Sequence, residues 1–252
     1  MTQVLPGAEP FSASGGQRGA LVLHGFTGSP QSMRPLGEAF AAAGYSVEVP
    51  RLPGHGTTVE DMARYGWSDW TGAVDAAYDD LASRCECVVV AGLSMGGALT
   101  LWLALEHPQI AGIVLVNPVV ESDDFAPLVT AAAGLLEQGV ELMPGVGGDV
   151  ADPDVTELAY TSMPNRAVLS LVEALAAQKP RLSEISIPAL VLHSLQDHIV
   201  PPTSVGLLTK HLTGPIEVVD LERSFHVATI DLDRDLINHR AVAFANELAG
   251  VS

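Results

Sequence analysis

The stretch Gly92-Leu93-Ser94-Met95-Gly96 follows an apolar, β-branched run at 88–91 and opens a segment with helical spacing at 94–106. A G-x-S-x-G serine in that setting occupies a sharp strand-to-helix turn that presents its hydroxyl, and the flanking glycines remove side chains that would collide there. The helix start aims backbone N–H groups at any anion forming beside Ser94. That combination suits acyl transfer, but a serine hydroxyl is a weak nucleophile without a base. The base is expected as a histidine late in the chain, with an acid before it. Of eight histidines, His226 in Ser224-Phe225-His226-Val227 lies after the last apolar strand pattern and before the last helix. His193 falls at a strand end, His211 near a helix end, His239 within a helix and His107 before Pro108, all places where a structural role suffices. Asp197, just beyond another strand pattern, is the first choice for the acid that orients the imidazole and stabilises its cation. Asp220, Asp123 and Asp124 also follow strand patterns and stay open as weaker choices. An oxyanion needs two fixed donors. One is the N–H of Met95. The other comes from the loop His24-Gly25-Phe26-Thr27-Gly28, through the N–H of Phe26. His24 reads as a residue that shapes this loop, and His55 in Pro53-Gly54-His55-Gly56 as a structural or rim group.

These groups lie far apart in the chain, so a scaffold must gather them. Strand patterns at 20–23, 46–49, 87–91, 113–116, 189–193 and 216–219 alternate with helical spacing at 31–43, 69–83, 94–106, 203–211 and 232–248. Short apolar strands alternating with helices predict an α/β domain: a mostly parallel sheet covered by helices on both faces. The first 19 residues, rich in Gly, Pro and Ser, read as an arm. The alternation fails once, between 116 and 189, where helical patterns at 125–142 and 165–178 flank a Gly/Pro-rich turn at 144–148 and no clear strand occurs. A connection this long is not an ordinary loop. It predicts a helical cap insertion at 118–187 within a single domain of 1–252. The cap is expected over the C-terminal edge of the sheet, where open α/β folds bind ligands.

The 252 residues include 30 acidic and 12 basic side chains, a formal charge of −18. Nucleic acid and anionic membranes reward clustered Lys and Arg, so neither is expected as a main partner. With 48% hydrophobic and 17% charged residues, the chain is not intrinsically disordered. Cys85 and Cys87, one residue apart, do not form a disulfide framework. The N-terminal segment lacks a basic stretch followed by an apolar core, and no apolar run is long enough to span a bilayer. The expected location is the cytoplasm.

The segments His24-Gly25-Phe26-Thr27-Gly28, Ser32-Met33-Arg34-Pro35-Leu36, Pro50-Arg51-Leu52-Pro53-Gly54-His55-Gly56-Thr57, Gly92-Leu93-Ser94-Met95-Gly96-Gly97, Asp197-His198-Ile199-Val200-Pro201-Pro202 and Ser224-Phe225-His226-Val227-Ala228-Thr229 carry a resemblance. Together they resemble the small bacterial monoacylglycerol lipases and their carboxylesterase relatives, within the α/β-hydrolases, over nearly the whole chain. The resemblance implies an α/β-hydrolase fold, a triad of Ser94, Asp197 and His226, and Phe26 and Met95 as oxyanion donors. It also implies that Glu157, in Asp152-Pro153-Asp154-Val155-Thr156-Glu157-Leu158-Ala159-Tyr160, helps bind the glycerol end of the substrate. The expected reaction is hydrolysis of fatty-acid esters, foremost monoacylglycerol to glycerol and free fatty acid, by an acyl-enzyme on Ser94 with no metal or organic cofactor. The expected partner is a small ester or lipid, with transient contact between the cap and lipid aggregates. Leu135, Leu136, Leu142, Val146 and Leu171 are expected either as acyl-chain walls or as cap core. Two other readings stand beside this one: a broad short- to medium-chain carboxylesterase with the same triad, and a non-catalytic ligand-binding protein on the same scaffold. Thioesterases, peptidases and carbon–carbon hydrolases also use this machinery.

Overall fold

A computed structural model describes residues 2–250; positions 1, 251 and 252 of the expected single domain lie outside the described residues. The strands are β1 (Phe11–Ala13), β2 (Arg18–Leu23), β3 (Ser46–Val49), β4 (Cys87–Leu93), β5 (Gly112–Val116), β6 (Leu142–Pro144), β7 (Ser162–Pro164), β8 (Ala189–Ser194) and β9 (Ile216–Leu221). The helices are α1 (Arg34–Ala42), α2 (Val59–Met62), α3 (Trp67–Arg84), α4 (Met95–Glu106), α5 (Ala126–Glu137), α6 (Asn165–Gln178), α7 (Thr203–His211) and α8 (Arg234–Leu248). Seven strands form one sheet in the order β1-β3-β2-β4-β5-β8-β9, with β1 antiparallel to β3 and the other pairs parallel.

The two-residue period of a strand sorts its side chains onto two cores. Leu21, Leu23, Val88 and Val90 face a cluster that includes Trp70 and Leu81 of α3 and Leu99 and Leu103 of α4. Ala20, Val22, Val89 and Ala91 face the opposite cluster, built with Leu36 and Phe40 of α1 and Ile237 and Ala241 of α8. Both faces of the sheet are therefore covered, as expected. Helix α4 is buried along most of its length, so the turn that starts it is anchored in the core.

Three local expectations need correction. The N-terminal arm contributes a paired edge strand, with Phe11 opposite Val49 and Ala13 opposite Val47. Three residues are too few to register as a periodic pattern. The long connection contains two strands, β6 and β7, paired antiparallel from Leu142–Pro164 to Pro144–Ser162. The helix expected to reach Leu142 ends at Glu137, because Gly139 adopts φ +76°. The N–H groups of Gly139 and Val140 return to the carbonyls of Leu136 and Leu135, which closes a Schellman stop.

Candidate functional site

Ser94 sits between β4 and α4 with φ 55° and ψ −118°. A β-branched or ordinary side chain resists this conformation, and such strain persists where its surroundings enforce it. Those surroundings leave no room: a Cβ on Gly92 would lie 2.1 Å from the Gly96 carbonyl oxygen, and one on Gly96 would lie 2.2 Å from that of Leu23. The Ser94 N–H donates to Val116 O at 3.0 Å, which fastens the turn to the end of β5. Its hydroxyl caps none of the N–H groups of α4 and is left to the cavity.

His226 and Asp197 come from loops after the adjacent strands β9 and β8. His226 Nδ1 lies 2.8 Å from Asp197 Oδ2, with side chains 8% and 2% exposed. Asp197 Oδ1 accepts from the N–H groups of Ile199 and Val200, both at 2.8 Å. Burial pushes the Asp197 carboxyl upward, but the His226 hydrogen bond and charge, with the Val200 and Ile199 donors, outweigh it and hold the carboxyl below its ordinary value. An ionised carboxylate only accepts, so the imidazole proton sits on Nδ1 and a neutral ring keeps Nε2 as a base. Ser94 and His226 line the same cavity. Asp220 is exposed on β9, Asp123 pairs with Lys179, and Asp124 accepts from Thr203; none is bonded to His226.

Three further groups, none of them singled out by a motif, hold the His226 loop. Asn117, at φ 41° beyond β5, donates to His226 O at 2.8 Å and accepts from Ser194 N–H at 2.7 Å. Asp231, 1% exposed, accepts from Phe225 N–H at 2.9 Å and from Ala151 and Asp152 N–H at 2.8 and 2.9 Å. Asp149 accepts from His226 N–H at 3.1 Å. Only Asn117 had a legible cue: asparagine tolerates the left-handed region and it directly follows a strand.

Phe26 and Met95 lie beside Ser94. The loop before Phe26 packs so closely that a Cβ on Gly25 would be 3.3 Å from Ser94 Cβ. Among the described residues, neither the Phe26 nor the Met95 N–H donates to a backbone carbonyl. For Met95 this is the unpaired first N–H of a helix. Two buried histidines brace the loop. His24 Nε2 accepts from Leu52 N–H at 3.2 Å, so its Nδ1 donates to Gly25 O at 3.0 Å. His55 is fully buried, packed edge-on against His24, Phe26 and Trp70. It is a structural residue and not a rim group.

Burial lowers the His24 pKa to about 4, against the pull of the Gly25 carbonyl. The unfolded chain binds the proton near 6.5, so protons favour unfolding between those values. The stability this neutral ring provides is complete above pH 6.5 and is lost as pH falls towards 4, on the order of 3 kcal/mol. In urea titrations from pH 7 to 4, His24→Gln is therefore expected to lose less stability than the parent. Parallel curves would show that His24 is not a buried neutral ring.

Two cavities meet at Ser94. The larger is walled by Phe125, Leu128, Met163, Val168, Leu171 and Leu175 from the long connection, and Ser94 is its one polar residue. Val146 and Leu171 line it as expected, whereas Leu135, Leu136 and Leu142 do not. The smaller cavity holds His226, Glu157 and Gly147 beside Ser94. Glu157 Oε2 accepts from Gly148 N–H at 2.7 Å, and Oε1 lies 3.0 Å from where a Cβ on Gly28 would stand. Burial pushes its carboxyl above the ordinary value, against the Gly148 N–H and the His226 charge. Val146, 39% exposed, lines both cavities. No helix among the described residues is long and apolar enough to cross a membrane.

Comparison with known proteins agrees with this architecture. The family model described as serine aminopeptidase, S33, matches residues 17–233. A thermostable monoacylglycerol lipase of Bacillus sp. (strain H-257) is 45% identical over 98% of this chain and 98% of its own. A carboxylesterase of Bacillus subtilis (strain 168) is 28% identical over 95% of this chain and 97% of its own. A solved structure from work on the metagenome-derived lipolytic enzymes LipS and LipT superposes with a TM-score of 0.93. It is 44% identical and covers 97% of this chain and 100% of that one.

Proposed function

Because the chain belongs to the serine aminopeptidase S33 family of the α/β-hydrolases, we propose that it is a serine ester hydrolase that cleaves monoacylglycerols to glycerol and fatty acid through an acyl-enzyme on Ser94. The observation that carries the reading is the pair of unlike cavities joined at Ser94, one apolar and one holding Glu157 and His226. An ester with a long apolar acyl group and a small hydroxylated alcohol matches that division, since few polar groups in an apolar pocket orient such ligands. The 118–187 insertion then acts as the cap that forms the acyl wall.

His226 Nε2 takes the Ser94 proton as Oγ attacks the carbonyl carbon. The N–H groups of Phe26 and Met95 hold the oxyanion, and Asp197 stabilises the imidazolium. The carbon–oxygen bond to the alcohol breaks, and the alcohol leaves with the proton from Nε2. Water, deprotonated by the same nitrogen, attacks the acyl carbon; the bond to Ser94 Oγ breaks, Nε2 returns its proton to Oγ, and the fatty acid leaves. No step calls on a metal or an organic cofactor. The exposed Val146 and Val140 supply apolar surface for brief contact with lipid aggregates. The cytoplasm is the proposed location.

The test is kcat/KM over monoacylglycerols of varied chain length, diacylglycerols and simple esters. Monoacylglycerols are expected to lead. A preference for acetate esters would instead support the carboxylesterase reading, which uses the same triad, and no turnover of any ester would support the binding-protein reading. Glu157→Ala removes an acceptor placed for a glycerol hydroxyl. A hydrogen bond to a charged group is worth about 1.5–3 kcal/mol, so the variant is expected to lose about 10-fold or more in kcat/KM on monoacylglycerol. A 4-nitrophenyl ester of the same acyl chain should be nearly unaffected. Equal losses on both would remove the glycerol contact.

A further inference from the structure

One carboxylate of the insertion bonds the backbone N–H of the base itself. Asp149 follows Gly148 in the coil between β6 and β7. Its Oδ2 accepts from the N–H of His226 at 3.1 Å and from the N–H of His198 at 3.2 Å. Its Oδ1 meets His198 Nδ1 at 2.8 Å, and its own carbonyl accepts from Val227 N–H at 3.0 Å. The side chain is 15% exposed. One residue of the insertion thus grips the loop that carries Asp197 and the loop that carries His226.

We propose that Asp149 is a positioning residue that fixes the separation of these two loops, so that base and acid are aligned only while the insertion is seated. The inference rests on the triad reading above. The two loops leave neighbouring strands, and the Asp197–His226 bond joins them through rotatable side chains. A carboxylate oxygen shared by one N–H from each loop ties them through their backbones instead. The adjoining Gly148 N–H holds Glu157, so the same turn links the alcohol-side carboxylate to the base. Asp231, bonded to Ala151, Asp152 and Phe225 N–H, repeats the link two residues further along the insertion. Displacing a reacting group by about 1 Å can cost about 100-fold in rate, so a loose backbone here acts on chemistry more than on binding.

The test is the pre-steady-state acylation rate with a 4-nitrophenyl ester, counted per active site from the burst amplitude, together with KM and the thermal midpoint. Asp149→Ala is expected to acylate about 10- to 100-fold more slowly with KM little changed. Asp149→Asn keeps an oxygen able to accept both N–H groups and is expected to recover most of that loss. A merely structural role would lower the number of competent sites and leave the rate per site unchanged. Asp149→Ser, too short to reach both loops, takes the place of the alanine variant should that one not fold. Parental acylation in the alanine or serine variant, or an asparagine variant as slow as either, overturns the proposal. Ser94→Ala, run alongside, separates the two readings: turnover there near the parental rate would sink the triad itself, whatever Asp149 does.

Discussion

Ser94→Ala is expected to lower kcat for ester hydrolysis by about 10⁵- to 10⁶-fold while the chain stays folded. The hydroxyl makes none of the bonds that hold the turn. Those are the Ser94 N–H to Val116 O and the bonds from the N–H groups of Gly97, Ala98 and Val119 to the Ser94 carbonyl. Alanine keeps all of them. It inherits the same strained backbone, so the thermal midpoint is expected to stay near the parental value, and Ser94→Gly, free of the penalty at φ 55°, to rise above it. The weak rate that remains is expected from the proposed oxyanion donors, the N–H groups of Phe26 and Met95, which would still polarise a bound carbonyl for attack by water. Steady-state kinetics on a monoacylglycerol and on a nitrophenyl ester check this. Hydrolysis of either near the parental rate removes Ser94 as the nucleophile.

Asp197→Asn is expected to cost about 10⁴-fold in kcat, and the geometry says why. The Ile199 and Val200 N–H groups, 2.8 Å from Oδ1, leave the amide oxygen no better place than that one. The amide NH₂ then faces His226 Nδ1 and can only donate. The imidazole must move its proton to Nε2, where it can no longer accept one from Ser94. Asp220→Asn, at an exposed site on β9, is expected to change kcat little. Measuring both variants at one pH decides the assignment, and the reverse order would move the acid to Asp220.

The parts of this site that were legible in the sequence are those with a local pattern. Three consecutive valines followed by a G-x-S-x-G give a two-sided buried strand and its turn, and β4 and α4 lie there. Helices α6 and α7 were found at their observed bounds because their apolar spacing is clean and prolines stand beside their starts. Strands β1, β6 and β7 escaped because three residues carry no period. The polar braces escaped for a different reason. Asn117 and Asp149 reach partners 109 and 77 residues away, and no neighbouring residue announces such a bond. Asp233 stands at the N-cap position of α8, yet its carboxylate turns back to Arg223 and Ser224 N–H, both at 2.9 Å. It holds the approach to His226 and leaves α8 without a side-chain cap.

The most direct test is to quench the enzyme during turnover of a monoacylglycerol and map the trapped acyl group by peptide mass. The fatty acyl mass is expected on the peptide that contains Ser94, appearing before free fatty acid is released. Steady production of fatty acid with Ser94 unmodified, or an acyl group carried at another residue, would contradict the account.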